Sequence, residues 1–272
     1  MAEELPDDDR LDERPRRRRD RDREPGAKSG MSTGAIVGIV IGVLALLMCT
    51  CGTPIMIGLL LPAVQKVRES AAKMQSQNNL KQMSLAAYMQ QDLGNGVSGP
   101  FAQLPGGGPA TGHSFRVGLL PYMEQDNIYR QIDLTLPWDS AKNSPATGAS
   151  IKAFLDPGNP ASQGTATPYR MFVGPGALFD GSNKPVNLTA IPDGAANTIF
   201  AIAATETVPW AKPQELPYGP GISLPPLGCY PNAGGFNVAF ADGSVRFVRS
   251  TIPEADLRSL IESADGRKVI IP

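Results

Sequence analysis

The sequence predicts an α+β fold in which an N-terminal transmembrane helix continues into a long helix packed on an antiparallel sheet with long loops. Three observations carry this prediction. Residues 29–65 include no charged side chain, the segment after them has apolar residues at helical spacing, and two alternating apolar runs flank Asp242-Gly243 near the end. The 29 Gly and 26 Pro among 272 residues exclude a helical bundle and predict a loop-rich domain.

Residues 1–33 are predicted to be a disordered, charged tail. Residues 1–30 hold nine basic and ten acidic side chains and no aromatic one, so they have little apolar area to offset the entropy of ordering. Arg16–Arg19 is a candidate nucleic-acid patch. The interleaved acids after it and the neighbouring apolar run favour a solvated tail, so nucleic acid is not an expected partner.

Residues 34–61 are predicted to be a transmembrane helix, with the lipid bilayer as a partner. About 20 helical residues cross a bilayer core, and no Ala-x-Ala cleavage site follows, so we expect an uncleaved anchor. Eight Lys or Arg residues lie in 14–33 and four in 62–81, which predicts a cytoplasmic N-terminus and an extracytoplasmic domain over 62–272. Pro54 and Pro62 are expected to kink the helix or to start a second helical stretch.

The exported domain is predicted to open with a helix over Ala63–Asp92. Leu80, Met83 and Ala87 form an apolar stripe on it, and an earlier stripe comprises Val64, Val67, Ala71 and Met74. The further predictions are a shorter helix starting near Pro121, mostly loop over 133–190, a strand over 197–204, a helix after Pro253 and an edge strand over 269–271. A two-residue turn at Asp242-Gly243 would pair Phe240 with Val245 and Val238 with Phe247.

Four ordered sequence blocks carry a resemblance to a known family. They are LLPAVQKVRES with NNLKQMSLA, LLPYMEQDNIY with LPWDS, IPDGAANTIFAIAATE with VPW, and GGFNVAFADGSVRF. Together they resemble a planctomycete-type bacterial family known as domain of unknown function 1559, which also carries a solute-binding-protein-like label. The N-terminus of that family is similar to type IV pilins and type II secretion pseudopilins. The resemblance implies a pilin-like exported domain.

The resemblance also assigns signature positions. The family pattern is a His, nine residues and Asp-Gly, and here Asn232 stands in place of the His. The signature positions are Asn232, Gly234, Gly235, Asp242 and Gly243. Ser76 and Asp156 stand where relatives often carry Cys, which implies that this chain has lost a disulfide.

The pilin-like start of the chain departs from its pattern. Gly30-Met31 is the nearest match to a prepilin-type cleavage site, and Ala35 stands where pilins carry a Glu. A carboxylate inside a bilayer is costly and normally functional, so its absence favours a fixed anchor over a filament subunit.

Other candidate functional residues have structural explanations that the sequence favours. His113 is the only His and lacks a nucleophile elbow. Asp180, Asp193 and Asp242 each precede Gly, so tight turns are favoured over a Ca²⁺ site. Trp138, Trp210 and Tyr122 fit a core better than a stacking surface, and Asp139 with Glu206 is a weak glycosidase pair. The sequence therefore predicts no catalytic residue, cofactor site or metal site.

These inferences predict a non-enzymatic, single-pass envelope protein with a pseudopilin-like structural or assembly role. Its partners would be the bilayer and other envelope or pseudopilin-like subunits. The alternative is a membrane-tethered binding module for a solute, glycan or peptide.

Overall fold

The chain divides into two compact units, and the first contains a short apolar helix. The computed structural model describes residues 30–49, 53–92, 112–181, 185–228 and 234–271, with side chains from 63 onward in the second range. It divides into two units, Met1–Leu59 and Leu60–Pro272. In the first unit, α1 covers Thr33–Leu47, and the Ser32 side chain caps it by accepting from the Ala35 amide. None of the helices in the described part of the chain combines the length and apolar character needed to cross a bilayer.

The long helix α2 covers Thr53–Gln90 and begins earlier than the predicted Ala63. Pro54 lies at its first turn, where a missing N–H costs nothing, and Pro62 lies within it. The stripe of Leu80, Met83 and Ala87 is fully buried, as predicted. The earlier stripe does not face the core: Val64, Val67 and Met74 are exposed.

Short helices follow in the second unit. They are α3 (Phe115–Leu119), α4 (Asp126–Tyr129), α5 (Ser144–Thr147), α6 (Glu254–Ile261) and 3₁₀ turns at Leu120–Met123, Lys152–Phe154 and Ala195–Asn197. The single helix predicted near Pro121 was wrong, because helical structure starts at Phe115 and Glu124 breaks it in a left-handed conformation, with φ 59°. The helix predicted after Pro253 is confirmed as α6.

The main sheet has four antiparallel strands in the order β1-β3-β5-β6. They are β1 (Ala166–Arg170), β3 (Ile199–Pro209), β5 (Gly235–Phe240) and β6 (Val245–Arg249). A parallel pair joins β2 (Phe172–Val173) to β4 (Leu216–Pro217). The strand predicted over 197–204 is confirmed and longer, whereas β1 and β2 lie where loop was predicted. Residues 269–271 form no strand.

The hairpin register differs by one residue from the prediction. Val238 lies opposite Arg246 and Asn237 opposite Phe247. The type I′ turn favoured by Asp-Gly needs positive φ at both central residues. In the described chain Glu124 is the one non-glycine residue with positive φ, so Asp242 does not meet this condition. Instead the Gly243 amide donates to Phe240 O at 2.9 Å, and the turn has three residues. Because β5 is buried along its whole length, its apolar pattern does not select a register.

Two apolar clusters cover the two faces of the sheet. Ala239 and Ala241 face a cluster that includes Leu80 and Met83 of α2. Phe236, Val238 and Phe240 face the other cluster, which contains Leu257 and Leu260 of α6. The signature strand β5 therefore lies between the long helix and the C-terminal helix.

Candidate functional site: the signature hairpin and its helix

The tip of the signature hairpin is bound to α2. Gly243 adopts a left-handed φ of 77°, and its carbonyl accepts a 2.6 Å hydrogen bond from Lys81 Nζ. The Tyr88 hydroxyl donates to the carbonyl of Ala241. Burial, and secondarily Asp242, raises the pKa of Tyr88, so the hydroxyl remains a donor near neutral pH. Two helix side chains that the sequence did not single out thus fix the Asp-Gly turn.

The other end of the hairpin also contacts α2. Asn237 is buried, and its Nδ2 donates to Lys73 O at 3.2 Å. The Lys73 ammonium lies 3.3 Å from the centroid of the Phe247 ring, a cation–π contact. Burial, and then Arg249, lowers the pKa of Lys73. Helix and hairpin are therefore joined at both ends.

Gly235 is explained by close packing. A Cβ there would collide with the carbonyl oxygen of Val248 and lie 2.7 Å from the Phe247 ring. Gly234 adopts a φ of 62°, and its carbonyl accepts from the amide of Ser250 at 2.8 Å. Both signature glycines thus have backbone reasons to be glycine. Asn232 lies outside the described residues.

Two side chains of the third sequence block, IPDGAANTIFAIAATE, form hydrogen bonds with the C-terminal segment. The Asp193 carboxylate accepts from the amides of Asp265 and Gly266, at 2.7 and 2.9 Å. Asn197 donates to Arg267 O at 2.8 Å and accepts from the Val269 amide at 3.1 Å. These side chains replace strand pairing for the C-terminal segment, which explains why the predicted edge strand does not form.

The pairing of Ser76 with Asp156 is direct. Both are fully buried, and Ser76 Oγ donates to Asp156 Oδ2 at 2.9 Å. The Tyr169 hydroxyl donates to Ser76 Oγ at 3.0 Å. A polar contact thus joins α2 to the loop before β1 at the two positions where the resemblance implied a lost disulfide.

A buried ion pair connects α3 to the segment before β4. Arg116 Nη2 lies 3.1 Å from Glu215 Oε1, and both side chains are almost fully buried. Arg116 also donates to Tyr169 O and Trp210 O, and Glu215 accepts from the Met171 amide. Burial raises the pKa of Glu215, and Arg116 opposes that rise. Sequence reasoning missed this pair, because nothing in the spacing of the two residues connects them.

The remaining candidates fall in different places. Asp242 Oδ1 accepts from the Ser244 amide, which is a turn contact. Trp210 is fully buried and donates to Ala149 O, so it belongs to the core, while Trp138 and Tyr122 are partly buried against it. Within the described ranges, no three His, Cys, Asp or Glu side chains are grouped to hold a metal ion. Gly30 and Met31 lie exposed just before α1.

Comparison with known families decides the affiliation. Residues 65–199 match the family described as Protein of unknown function (DUF1559). The chain belongs to this family. The match includes the middle block and ends at the start of β3, before the signature hairpin, so the assignment of that hairpin still rests on the sequence resemblance. No curated protein and no solved structure matches the chain.

In this member of DUF1559 the described signature residues lie on the hairpin that α2 contacts. Lys81, Tyr88 and Asn237 supply the hydrogen bonds between helix and hairpin. Gly243 permits the close approach of Tyr88, and Gly235 permits close packing within the hairpin. The arrangement holds β6 in place as an outer strand of the sheet.

Proposed function

We propose that the chain is a single-pass, membrane-anchored and non-enzymatic protein of the cell envelope. The observation that carries the proposal is α1, which has no charged side chain and no buried residue. Its isoleucines, valines and leucines are exposed, Ile41 at 61%. Exposed apolar surface of this kind is expected to contact lipid or other helices. The uncharged run over 29–65 supports an anchor longer than α1 alone.

The proposed orientation puts the N-terminus in the cytoplasm and residues 62–272 outside. It follows from the excess of Lys and Arg before the apolar run. A pseudopilin-like structural or assembly role is supported by a 38-residue α2 packed on an antiparallel sheet. Val64, Val67 and Met74 are exposed on α2 and are the surface through which other envelope subunits would pack.

Membrane fractionation tests the anchor. The full chain should remain in the membrane pellet after alkaline extraction, and a variant lacking residues 34–61 should move to the soluble fraction. A matched control lacking residues 2–28 keeps the apolar run and should stay in the pellet. Recovery of the full chain in the soluble fraction would contradict the proposal.

N-terminal sequencing of the extracted protein separates a fixed anchor from a processed subunit. Ala35 in place of a Glu favours the fixed anchor, so we expect the sequence to start within residues 1–29. A chain that starts at Met31 would favour cleavage and assembly instead.

A second candidate function is ligand binding by the exported domain. A pocket of about 400 Å³ lies between the loop after β4 and α6, within the size range of small-ligand sites. Apolar side chains such as Leu224, Phe236 and Leu257 line the pocket. Two charged side chains, Glu254 and Arg258, also line it. A thermal-shift screen with sugars and short peptides tests this function, and no shift with any of them would count against it.

A further inference from the structure

The strand β6 is an outer edge of the four-stranded sheet. It pairs with β5 on one side, and no other described strand pairs with it. Edge strands present unpaired N–H and C=O groups to which another extended chain can bond. β6 is therefore a candidate site at which the domain could bind another chain through its backbone.

The backbone groups that point outward can be identified. The Phe240 amide donates to Ser244 O and the Ser250 amide donates to Gly234 O, both at 2.8 Å. Because bonded and non-bonded pairs alternate along an antiparallel ladder, the backbone groups of Val245, Phe247 and Arg249 point away from β5. Arg249 O accepts from the Ile252 amide. Among the described residues, no hydrogen bond engages the other outward groups.

Positive side chains lie on both faces of this edge. Arg246 is exposed on the face of Phe240, with its guanidinium 4.9 Å from that ring. Arg249 is exposed on the opposite face, which also carries Phe247. Lys73 of α2 lies over the Phe247 ring on that face. The charge of Glu69 opposes the lowering of the Lys73 pKa. No described carboxylate lies within ion-pair distance of any of these three cations.

We propose that the edge of β6 binds an extended, acidic segment of a partner protein, which adds to the sheet as a fifth strand. The backbone groups of Val245 and Phe247 and the amide of Arg249 would pair with the added strand. Side chains of a strand alternate between the two faces, so acidic residues in either phase would meet Arg246 on one face or Arg249 with Lys73 on the other. Charge complementarity selects an acidic occupant.

A second copy of β6 is a poorer occupant. Two antiparallel β6 strands would bring Arg246 and Arg249 of one copy beside the same residues of the other, and like charges across strands are destabilising. Exposed arginines can also serve only to keep edges apart. The test must therefore separate an acidic partner from self-association and from mere edge protection.

Binding of labelled peptides to the full chain in detergent micelles is the test. The probe is a fluorescein-labelled peptide of about nine residues that alternates Val and Glu, a length typical of strands. The matched probe has Lys in place of Glu. We expect saturable anisotropy for the Glu peptide, weakened by salt, and at least about tenfold weaker binding of the Lys peptide. Equal binding of both peptides, or binding of neither, would overturn the proposal.

Backbone pairing is tested without changing the protein. One variant of the Glu peptide carries N-methyl groups on every residue, and its control carries them on alternate residues only. Strand addition predicts that the fully methylated peptide loses binding, because neither of its edges can donate to β6, and that the control keeps binding through its unmethylated edge. Equal binding of the two peptides would show that the contact is purely ionic and would reject strand addition.

Charge reversal tests the named side chains. Arg246→Glu with Arg249→Glu should abolish binding of the Glu peptide and favour the Lys peptide. Arg130→Glu is the matched control, because Arg130 is an exposed arginine directly after α4 that pairs with Asp126. Self-association of the chain that competes with binding of the Glu peptide would assign the edge to a second copy and contradict the proposal. The proposal does not depend on membrane anchoring.

Discussion

At the scale of single residues, Gly235 is the signature position with the tightest packing. An added Cβ would meet the backbone oxygen of Val248, which cannot rotate away, and the Phe247 ring. We therefore expect Gly235→Ala to lower the free energy of unfolding by about 2 kcal/mol or more, in the range of overpacking. Urea denaturation of the domain from residue 62 onward, or of the full chain in detergent, measures the change.

Gly219→Ala is the matched control for that substitution. A Cβ at Gly219 would come no closer than 3.4 Å to the flexible end of Ile222. Its unfolding midpoint should stay close to the wild-type value. Similar losses in the two variants would show that close packing is not the reason for glycine at position 235.

His113 gives a prediction about pH. Its Nε2 lies 3.0 Å from Leu136 O, and its buried Nδ1 has no hydrogen-bond partner in the described structure. Burial lowers the pKa of His113, against the weaker opposing effects of that hydrogen bond and of Asp133. The unfolded chain then binds a proton more readily than the folded one. Stability contributed by neutral His113 is present above the ordinary pKa of about 6.5 and falls as the pH drops below it.

His113→Gln should remove this part of the pH dependence. A Gln amide can still donate to Leu136 O but does not titrate. Urea midpoints at pH 5 and pH 7 should differ less in the variant than in the wild type. The same difference in both proteins would show that His113 does not titrate with folding.

At the scale of elements, the contact between α2 and the loop before β1 can be converted to a covalent bond. Ser76 Oγ and Asp156 Oδ2 are 2.9 Å apart in the core. In a background with Cys49, Cys51 and Cys229 changed to Ser, we expect Ser76→Cys with Asp156→Cys to oxidise to a disulfide. Its stabilisation has an upper limit of ~4.5 kcal/mol from chain entropy, less the lost hydrogen bond.

Peptide mapping and unfolding with and without reductant measure the outcome. The single variant Ser76→Cys is the control and cannot bridge within the chain. Two free thiols in the double variant after oxidation would contradict the inferred pairing of these positions.

Element type was predictable where one local pattern dominates. The helical stripe on α2 and the helix after Pro253 were right, because one face of each is apolar and the other polar. The hairpin register was wrong, because β5 is buried on both faces and only the turn geometry at Asp242 decides the pairing. Lys81 and Tyr88 were missed, since their roles depend on a hairpin more than 150 residues away along the chain.

At the scale of the whole molecule, the family and the α+β architecture follow from sequence. The blocks around Pro121 and Asp193 fold into contacts that hold the domain together, such as the bonds from Asp193 to the C-terminal segment. The ion pair of Arg116 and Glu215 shows the limit of that reasoning. It depends on α3 meeting the segment before β4 in three dimensions, and no local pattern marks it.

The central claim is that an exported domain is tethered by the apolar N-terminal run. Protease treatment of intact spheroplasts that carry the chain with one tag before residue 1 and another after residue 272 tests it most directly. The account predicts that the C-terminal tag is lost and that the N-terminal tag survives until the membrane is permeabilised. A C-terminal tag that is protected in intact spheroplasts and lost only after permeabilisation would contradict the account.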